Sequence, residues 1–391
     1  MKSSSNSRKR TSFFVFASSA YVAVLQLSPL LLLDALDFGY YSIVQLIVVL
    51  GSSISLSLVN EADVRRINRG FIRGNWKDFS AITLWLCLLF SFGAFFVASV
   101  VGELSEYALL WAVGVGISVY RGTARYRLTQ EGRMSRLIAG DIAGVVSLFV
   151  LWALIYTSSS GSWRLSDILV LWLSAQTVSV LFTKFPTSVN PRRAVVWVKN
   201  RFPDIATLLP DSALQDVGAF WSPSLIVVIL DVQSMGIFRA VTTVAAPIRL
   251  ILTPLRPLFT RGSLSHNYTV SSFLKILAAA VTIGSLAGLV LKGIGLLGAN
   301  FGVLSSLSSF ALPVGVYVVG NFVTFFYSIQ GRIVLSARRL LFTRVIQAVS
   351  LGISPVIFAL VAGLSGAIWA LALGSFLLGV LWFSMIRSHT I

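Results

Sequence analysis

Charge is what this sequence has least of. Of 391 residues only 12% are charged, and 14 acidic residues face 31 lysines and arginines. A soluble domain carries about 25% charged residues, so there is too little polar surface here to wet a globule of this size. Cysteine is nearly missing as well: Cys87 stands alone, which excludes an internal disulfide. Histidine occurs only at His266 and His389, both outside the long apolar runs. Metal-ligand spacing, a phosphate-binding glycine loop and a nucleophile elbow are all lacking. These absences argue against a soluble enzyme, a metalloenzyme, a disulfide-built secreted domain and an ATP-driven pump. What is present is hydrophobic residues at 56% and a mean hydropathy of +0.85. The expected class is an all-α polytopic membrane protein, not an enzyme.

A helix needs about 20 mostly apolar residues to cross a bilayer core of about 30 Å. Twelve stretches qualify: 12–33, 40–60, 79–101, 107–120, 137–157, 167–183, 207–230, 236–257, 273–292, 307–329, 343–362 and 367–387. The fourth and sixth are short and are expected to extend at both ends. The first follows Lys2, Arg8, Lys9 and Arg10 but is too long for a cleaved signal, and it reads as an uncleaved span.

Basic residues near span ends report orientation. With the N-terminus inside, 27 of the 31 fall on the cytoplasmic side, among them Arg121, Arg125, Arg127, Arg136 and Arg201. Arg164 and Lys292 fall outside, and Arg239 and Arg249 lie within a span. Both termini are therefore expected in the cytoplasm. The net charge of +17 is read as topology, not as nucleic-acid binding. The longest cytoplasmic connection contains Pro191-Arg-Arg-Ala-Val-Val-Trp-Val-Lys-Asn-Arg201. It suits either an ordinary basic loop or a short helix at the lipid interface.

The chain also repeats. Leu33-Asp-Ala-Leu-Asp-Phe-Gly-Tyr-Tyr41 matches Leu230-Asp-Val-Gln-Ser-Met-Gly-Ile-Phe238 at an offset of 197, close to half the length. Both words fall on the outer turn between the first and second span of a six-span half. The expected plan is a bundle over 1–190, a linker over 191–206 and a second bundle over 207–391. Six is even, so the two bundles are parallel repeats around a central cavity. Such a cavity implies transport or lipid movement more than catalysis.

Polar residues within spans should face protein or water. Ser42, Gln45, Ser52, Ser57 and Asn60 in span 2, and Arg239, Thr242, Thr243, Arg249 and Arg256 in span 8, each fall within roughly 140° of a helical wheel. Asp211 and Asp216 share a face in span 7, and Tyr317, Asn321, Thr324 and Ser328 share one in span 10. Serine and threonine often merely bond their own backbone. Arginine is different: Arg249 sits roughly 20 Å into its span, where it needs water, an acid or an anionic ligand. Arg239 is one turn from the outer end and either faces the cavity or snorkels. Asp216 is a candidate partner for Arg249. Asp141, beside Arg136, is a candidate for a structural pair or for ion coupling, as is Asp211. Pro247, Pro254 and Pro257 would bend span 8.

Two sets of words carry a resemblance. Leu36-Asp-Phe-Gly-Tyr-Tyr-Ser-Ile-Val-Gln45 leads to Leu50-Gly-Ser-Ser-Ile-Ser-Leu-Ser57. Gly236-Ile-Phe-Arg-Ala-Val-Thr-Thr-Val-Ala-Ala-Pro247 leads to Leu255-Arg-Pro257. With twelve spans in two halves, they resemble the Wzx-type polysaccharide flippases of the multidrug/oligosaccharidyl-lipid/polysaccharide exporter superfamily. The resemblance implies export of a polyprenyl-diphosphate-linked oligosaccharide across a bacterial inner membrane by alternating access, for surface polysaccharide assembly. It implies a polysaccharide polymerase and other assembly proteins as partners, with membrane lipids and the lipid-linked glycan itself. It places Arg249 and Arg239 on the diphosphate or an acidic sugar, with Gln45, Ser52, Thr242 and Asn321 as further contacts. Guanidinium suits that task, because it binds phosphate through two bonds and stays charged. No cofactor is expected, and the coupling ion, H+ or Na+, is open. The competing readings are a multidrug antiporter of the same superfamily, which should favour deep acidic groups, and a glycan polymerase, which should show a long outer loop.

Overall fold

The computed structural model describes residues 2–68, 70–158, 163–246, 248, 269–298 and 301–390. Regular structure among them is helical throughout. Among the described residues the helices fall into twelve successive segments. They begin with α1 (Lys2–Leu32), then α2 (Ala35–Ser55, continued by a π-helical turn Leu56–Glu61 and by Ala62–Asn68) and α3 (Trp76–Val100). Next come α4 (Ala108–Gln130), α5 (Met134–Ser158) and α6 (Leu165–Leu181). α7 runs from Pro191 to Asp216, through a π-helical turn Val217–Trp221, into Ser222–Ile229. α8 is Val232–Val244 and α9 is Val270–Leu297. A short helix Val303–Ser306 and a 3-10 turn Leu307–Phe310 lead to α10 (Ala311–Val334). α11 starts at Ala337–Ala348 and passes a π-helical turn Val349–Ile353. The helix that follows breaks at Ala362 and Gly363, where φ of Gly363 is +60°, so α11 ends there and α12 spans 364–390. Only glycine adopts that φ without cost.

Seven described helices are long and apolar enough to cross a membrane, with Phe16–Leu32 and Leu165–Leu181 as shorter apolar helices. The chain is a multi-pass membrane protein. The fourth span differs from its expected 107–120: it does not extend outward, and it continues ten residues further, to Gln130. The sixth shifts by two residues and does not lengthen. The expected linker 191–206 is the first half of α7, a helix opened by Pro191 at its first position, where the missing N–H costs nothing.

The chain forms two compact units, Met1–Leu25 with Ile43–Ala213, and Gln26–Ser42 with Leu214–Ile391. In the first unit, Trp111 and Trp172 are buried with ring centroids 5.9 Å apart. Gly114 leaves the room that Trp172 fills. In the second, α10 and α12 cross at Gly320 and Gly379, around a core of Tyr327, Trp382, Phe383 and Ile386. Small residues at crossings are how apolar helices gain contact in lipid, where hydrophobic burial offers no drive. Large apolar side chains such as Phe92 and Leu289, each 70% exposed, remain for the bilayer.

The sequence repeat has a structural meaning. Asp34 Oδ1 accepts the Asp37 N–H at 2.8 Å, and Asp231 Oδ1 accepts the Ser234 N–H at 2.6 Å. Each copy therefore caps the helix that follows it, α2 or α8. The glycines meet in the second unit. A Cβ on Gly39 would overlap the Val232 carbonyl oxygen; one on Gly236 would overlap that of Ala35 and lie 2.8 Å from the Gly39 nitrogen. Ala35 and Val232 are themselves 197 apart, so the contact is reciprocal, as a local two-fold requires.

Candidate functional site

In the second unit two helices widen locally into π-helical turns, and Arg239 reaches one of them. The π-helical turns of α7 and α11 pack on each other: a Cβ on Gly218 would touch Leu351, and one on Gly352 would press on Val217. A π-turn inserts one residue and disturbs the backbone hydrogen-bond ladder, and such turns are frequent at functional sites. Asp216 enters this turn and is buried. The carbonyl of Ala219, within it, receives Arg239 Nη1 of α8 at 3.5 Å. Arg239 is half-buried. Its own carbonyl accepts the hydroxyls of Thr242 at 2.8 Å and Thr243 at 2.9 Å. Thr242 thus spends its proton on the backbone. Asn321 donates to the Tyr317 hydroxyl one turn away at 3.1 Å, and Thr324 donates to the Ser375 carbonyl at 2.8 Å. Arg249, with Pro247, Pro254 and Arg256, lies outside the described residues.

In the first unit, Gln45 is half-buried and Ser52 exposed on α2. Ser57 and Ser212 share a hydroxyl–hydroxyl hydrogen bond. Asp211 belongs to α7, and its side chain lies outside the described residues. The dominant feature is one that topology reasoning misassigned. Asp141, 1% exposed, accepts Arg121 Nη2 at 2.7 Å and Arg125 Nη1 at 2.5 Å, both on Oδ1. Arg136, the expected partner, instead donates to the Thr183 carbonyl at 3.0 Å. Arg121 also donates to Ser179 at 2.6 Å, and its guanidinium lies 4.0 Å from the Tyr21 ring centroid. The Tyr21 hydroxyl donates to Gln176 at 3.2 Å. Gly144 lets Tyr21 approach α5.

Arg121 lies nine residues before the end of α4 and Asp141 seven after the start of α5, or about 10–14 Å inside the helix ends. Counting basic residues beyond span ends treats such arginines as loop charges. The signal that could have found them is spacing. Arg121 and Arg125 are four apart on one face, Gln176 and Ser179 three apart on another, and Asp141 is the sole acid from 137 to 157.

A second network clamps the start of α7. Arg201 donates to Asp63 Oδ1 at 2.5 and 3.1 Å, and the Gly74 N–H reaches the same oxygen at 3.2 Å. Arg127 donates to the Gly74 carbonyl at 2.6 Å. Burial lowers the pKa of the Arg201 guanidinium below its ordinary value, and Asp63 opposes that shift. Trp197 and Arg201 are buried on the inner face of this helix, while Val195, Val196 and Phe202 are exposed on the other. Of the two expectations for 191–201, a basic loop or a short helix, the helix is found, and Arg201 is buried on it because Asp63 neutralises it in place.

Neither a protein-family model nor a curated protein sequence matches the chain. Solved structures do. A multidrug resistance MATE family transporter of the MOP superfamily, in its inward-facing conformation, is similar at a TM-score of 0.58 and 15% identity, covering 97% of this chain and 94% of that one. An outward-facing structure of such a transporter is similar at 0.55 and 13%, covering 98% and 95%. The lipid II flippase MurJ, in an inward closed conformation, is similar at 0.59 and 11%, covering 96% and 84%. The chain shares its fold with these structures, which are of transporters and a flippase.

Proposed function

We propose that this chain is a flippase that carries a polyprenyl-diphosphate-linked oligosaccharide from the cytoplasmic to the outer leaflet of a bacterial inner membrane by alternating access. The observation that carries the reading is the sign of the charge around Asp141. Its carboxylate is outnumbered by the buried Arg121 and the part-buried Arg125, which leaves one excess positive charge in this cluster. Such a positive excess suits an anionic head group and repels an organic cation. Arg239 adds a further guanidinium on the polar face of α8. The head-group contacts are Arg249 and Arg239, with Gln45, Ser52 and Asn321 along the glycan, while Thr242 bonds the Arg239 carbonyl. Asp141 acts as the structural partner of two arginines, and Asp216 and Asp211 are left for charge pairing or coupling to H+ or Na+. Both termini face the cytoplasm, and a polysaccharide polymerase is the partner that takes the product.

A second reading is export of organic cations, which the likeness to MATE transporters supports equally at the level of fold. The two are separated in proteoliposomes. Wild type should flip a fluorescent lipid-linked oligosaccharide, made visible by quenching from one side, and Arg249→Glu should slow this at least tenfold at equal protein insertion. Ion-driven uptake of a fluorescent organic cation at high rate, with no lipid flipping, would replace the first reading by the second.

A further inference from the structure

Away from the arginines, α9 and α10 of the second unit enclose a groove of about 730 Å³, within the roughly 300–1,000 Å³ range of ligand sites. On α9 it runs from Val281 to Lys292, about 16 Å at 1.5 Å per residue. That is a trough, long for its volume. Its α10 wall is Leu312, Val316 and Val319, spaced on one face and roughly opposite the Tyr317–Asn321–Thr324 polar face. The groove therefore opens toward lipid and away from the polar interior. Gly284 and Gly315 bring the two backbones into contact at its base, and Leu289 and Leu312 stand at its rim, 70% and 69% exposed. One end is polar: Lys292, with the hydroxyls of Ser308 and Ser309. Lys292 is the sole charged residue from 276 to 331.

The geometry points to a binding site for the isoprenoid chain of a polyprenyl phosphate, with its chain in the trough and its phosphate at Lys292. An apolar slot with a cation at one end is the complement of a long-chain lipid phosphate. Lysine serves as a point charge for phosphate, and its stem lies along apolar surface while the ammonium reaches the interface. Lys292 sits near the end of α9 opposite Lys275, which under the proposed orientation is the outer leaflet. The groove then holds the lipid after its head group has crossed. The inference rests on the proposed function only for the identity of the lipid.

The test is photocrosslinking in nanodiscs of zwitterionic lipid that contain the full chain and a diazirine-bearing polyprenyl phosphate without glycan. Crosslinks should map to 281–292 and 308–319, and unlabelled polyprenyl phosphate should compete. Ser285→Trp, which fills the trough from its exposed side, should cut labelling at least fivefold, and Lys292→Glu at least threefold. Leu289→Trp serves the same purpose at the rim if Ser285→Trp does not insert. A diazirine phosphatidylglycerol that labels the groove equally and resists competition, or labelling unchanged in both tryptophan variants, overturns the proposal. No translocation is needed for labelling. Labelling without flipping would therefore retire the flippase reading alone, and flipping without labelling would retire the groove alone.

Discussion

Arg121 in the first unit and Arg239 in the second are both arginines on helices, and they are held in different ways. Arg121 is enclosed: a carboxylate at 2.7 Å, a serine at 2.6 Å and a tyrosine face at 4.0 Å. Arg239 is half-buried and reaches a π-turn carbonyl at 3.5 Å, a long hydrogen bond. The first geometry fixes a charge, and it is shared with Arg125 around a single Asp141 oxygen. The second places a charge where the backbone is already irregular. The lesson is that positive charge within one fold can serve as frame or as contact, and that the tightness of its partners tells which.

The sharpest test of the frame is Asp141→Ala. It leaves two guanidinium groups without their carboxylate, and breaking a buried pair costs about 3–5 kcal/mol. Thermal unfolding in detergent should show a large drop, with poor yield of folded protein. An unchanged melting temperature would mean that Arg121 and Arg125 have other company. Next in size is Gly236→Val, whose side chain would enter the Ala35 carbonyl and the Gly39 backbone. Overpacking of this kind costs about 1–3 kcal/mol, and Gly39→Val should cost a similar amount, because the contact is reciprocal. Unequal losses would break the local two-fold.

Arg239→Gln should change stability by less than about 1 kcal/mol, because the amide can still donate to the Ala219 carbonyl, yet slow lipid flipping at least tenfold in proteoliposomes. A loss of folding as large as that of Asp141→Ala would place Arg239 with the frame. The smallest effect is expected of Thr242→Val. The hydroxyl is already bonded to the Arg239 carbonyl, so flipping rates should stay within about twofold, and a larger loss would give Thr242 a role on cargo beyond backbone bonding.

Much of the architecture was legible in the residues themselves. Long apolar runs between basic segments mark the passes, because a bilayer admits only hydrogen-bonded helices of sufficient length. The Asp34 and Asp231 caps and the paired glycines were visible as a repeat. The burial of Arg121, Arg125 and Arg201 was not legible, because a rule about span ends assigns side by chain position and is blind to depth. Arg249, on which most of the sequence argument rested, lies outside the described residues, so the weight of the cationic case moves to the first unit.

The sequence by itself determined the class, the passes and the doubled plan, since each follows from local hydropathy and from repetition along the chain. It could not determine which polar groups meet. Arg121 and Asp141 are 20 residues apart, Tyr21 and Gln176 are 155 apart, and Asp63 and Arg201 are 138 apart. Only the tertiary structure decides those pairings. An ion pair in a low-dielectric interior forms where helix packing brings both partners within bonding distance, and no period along the chain encodes that distance.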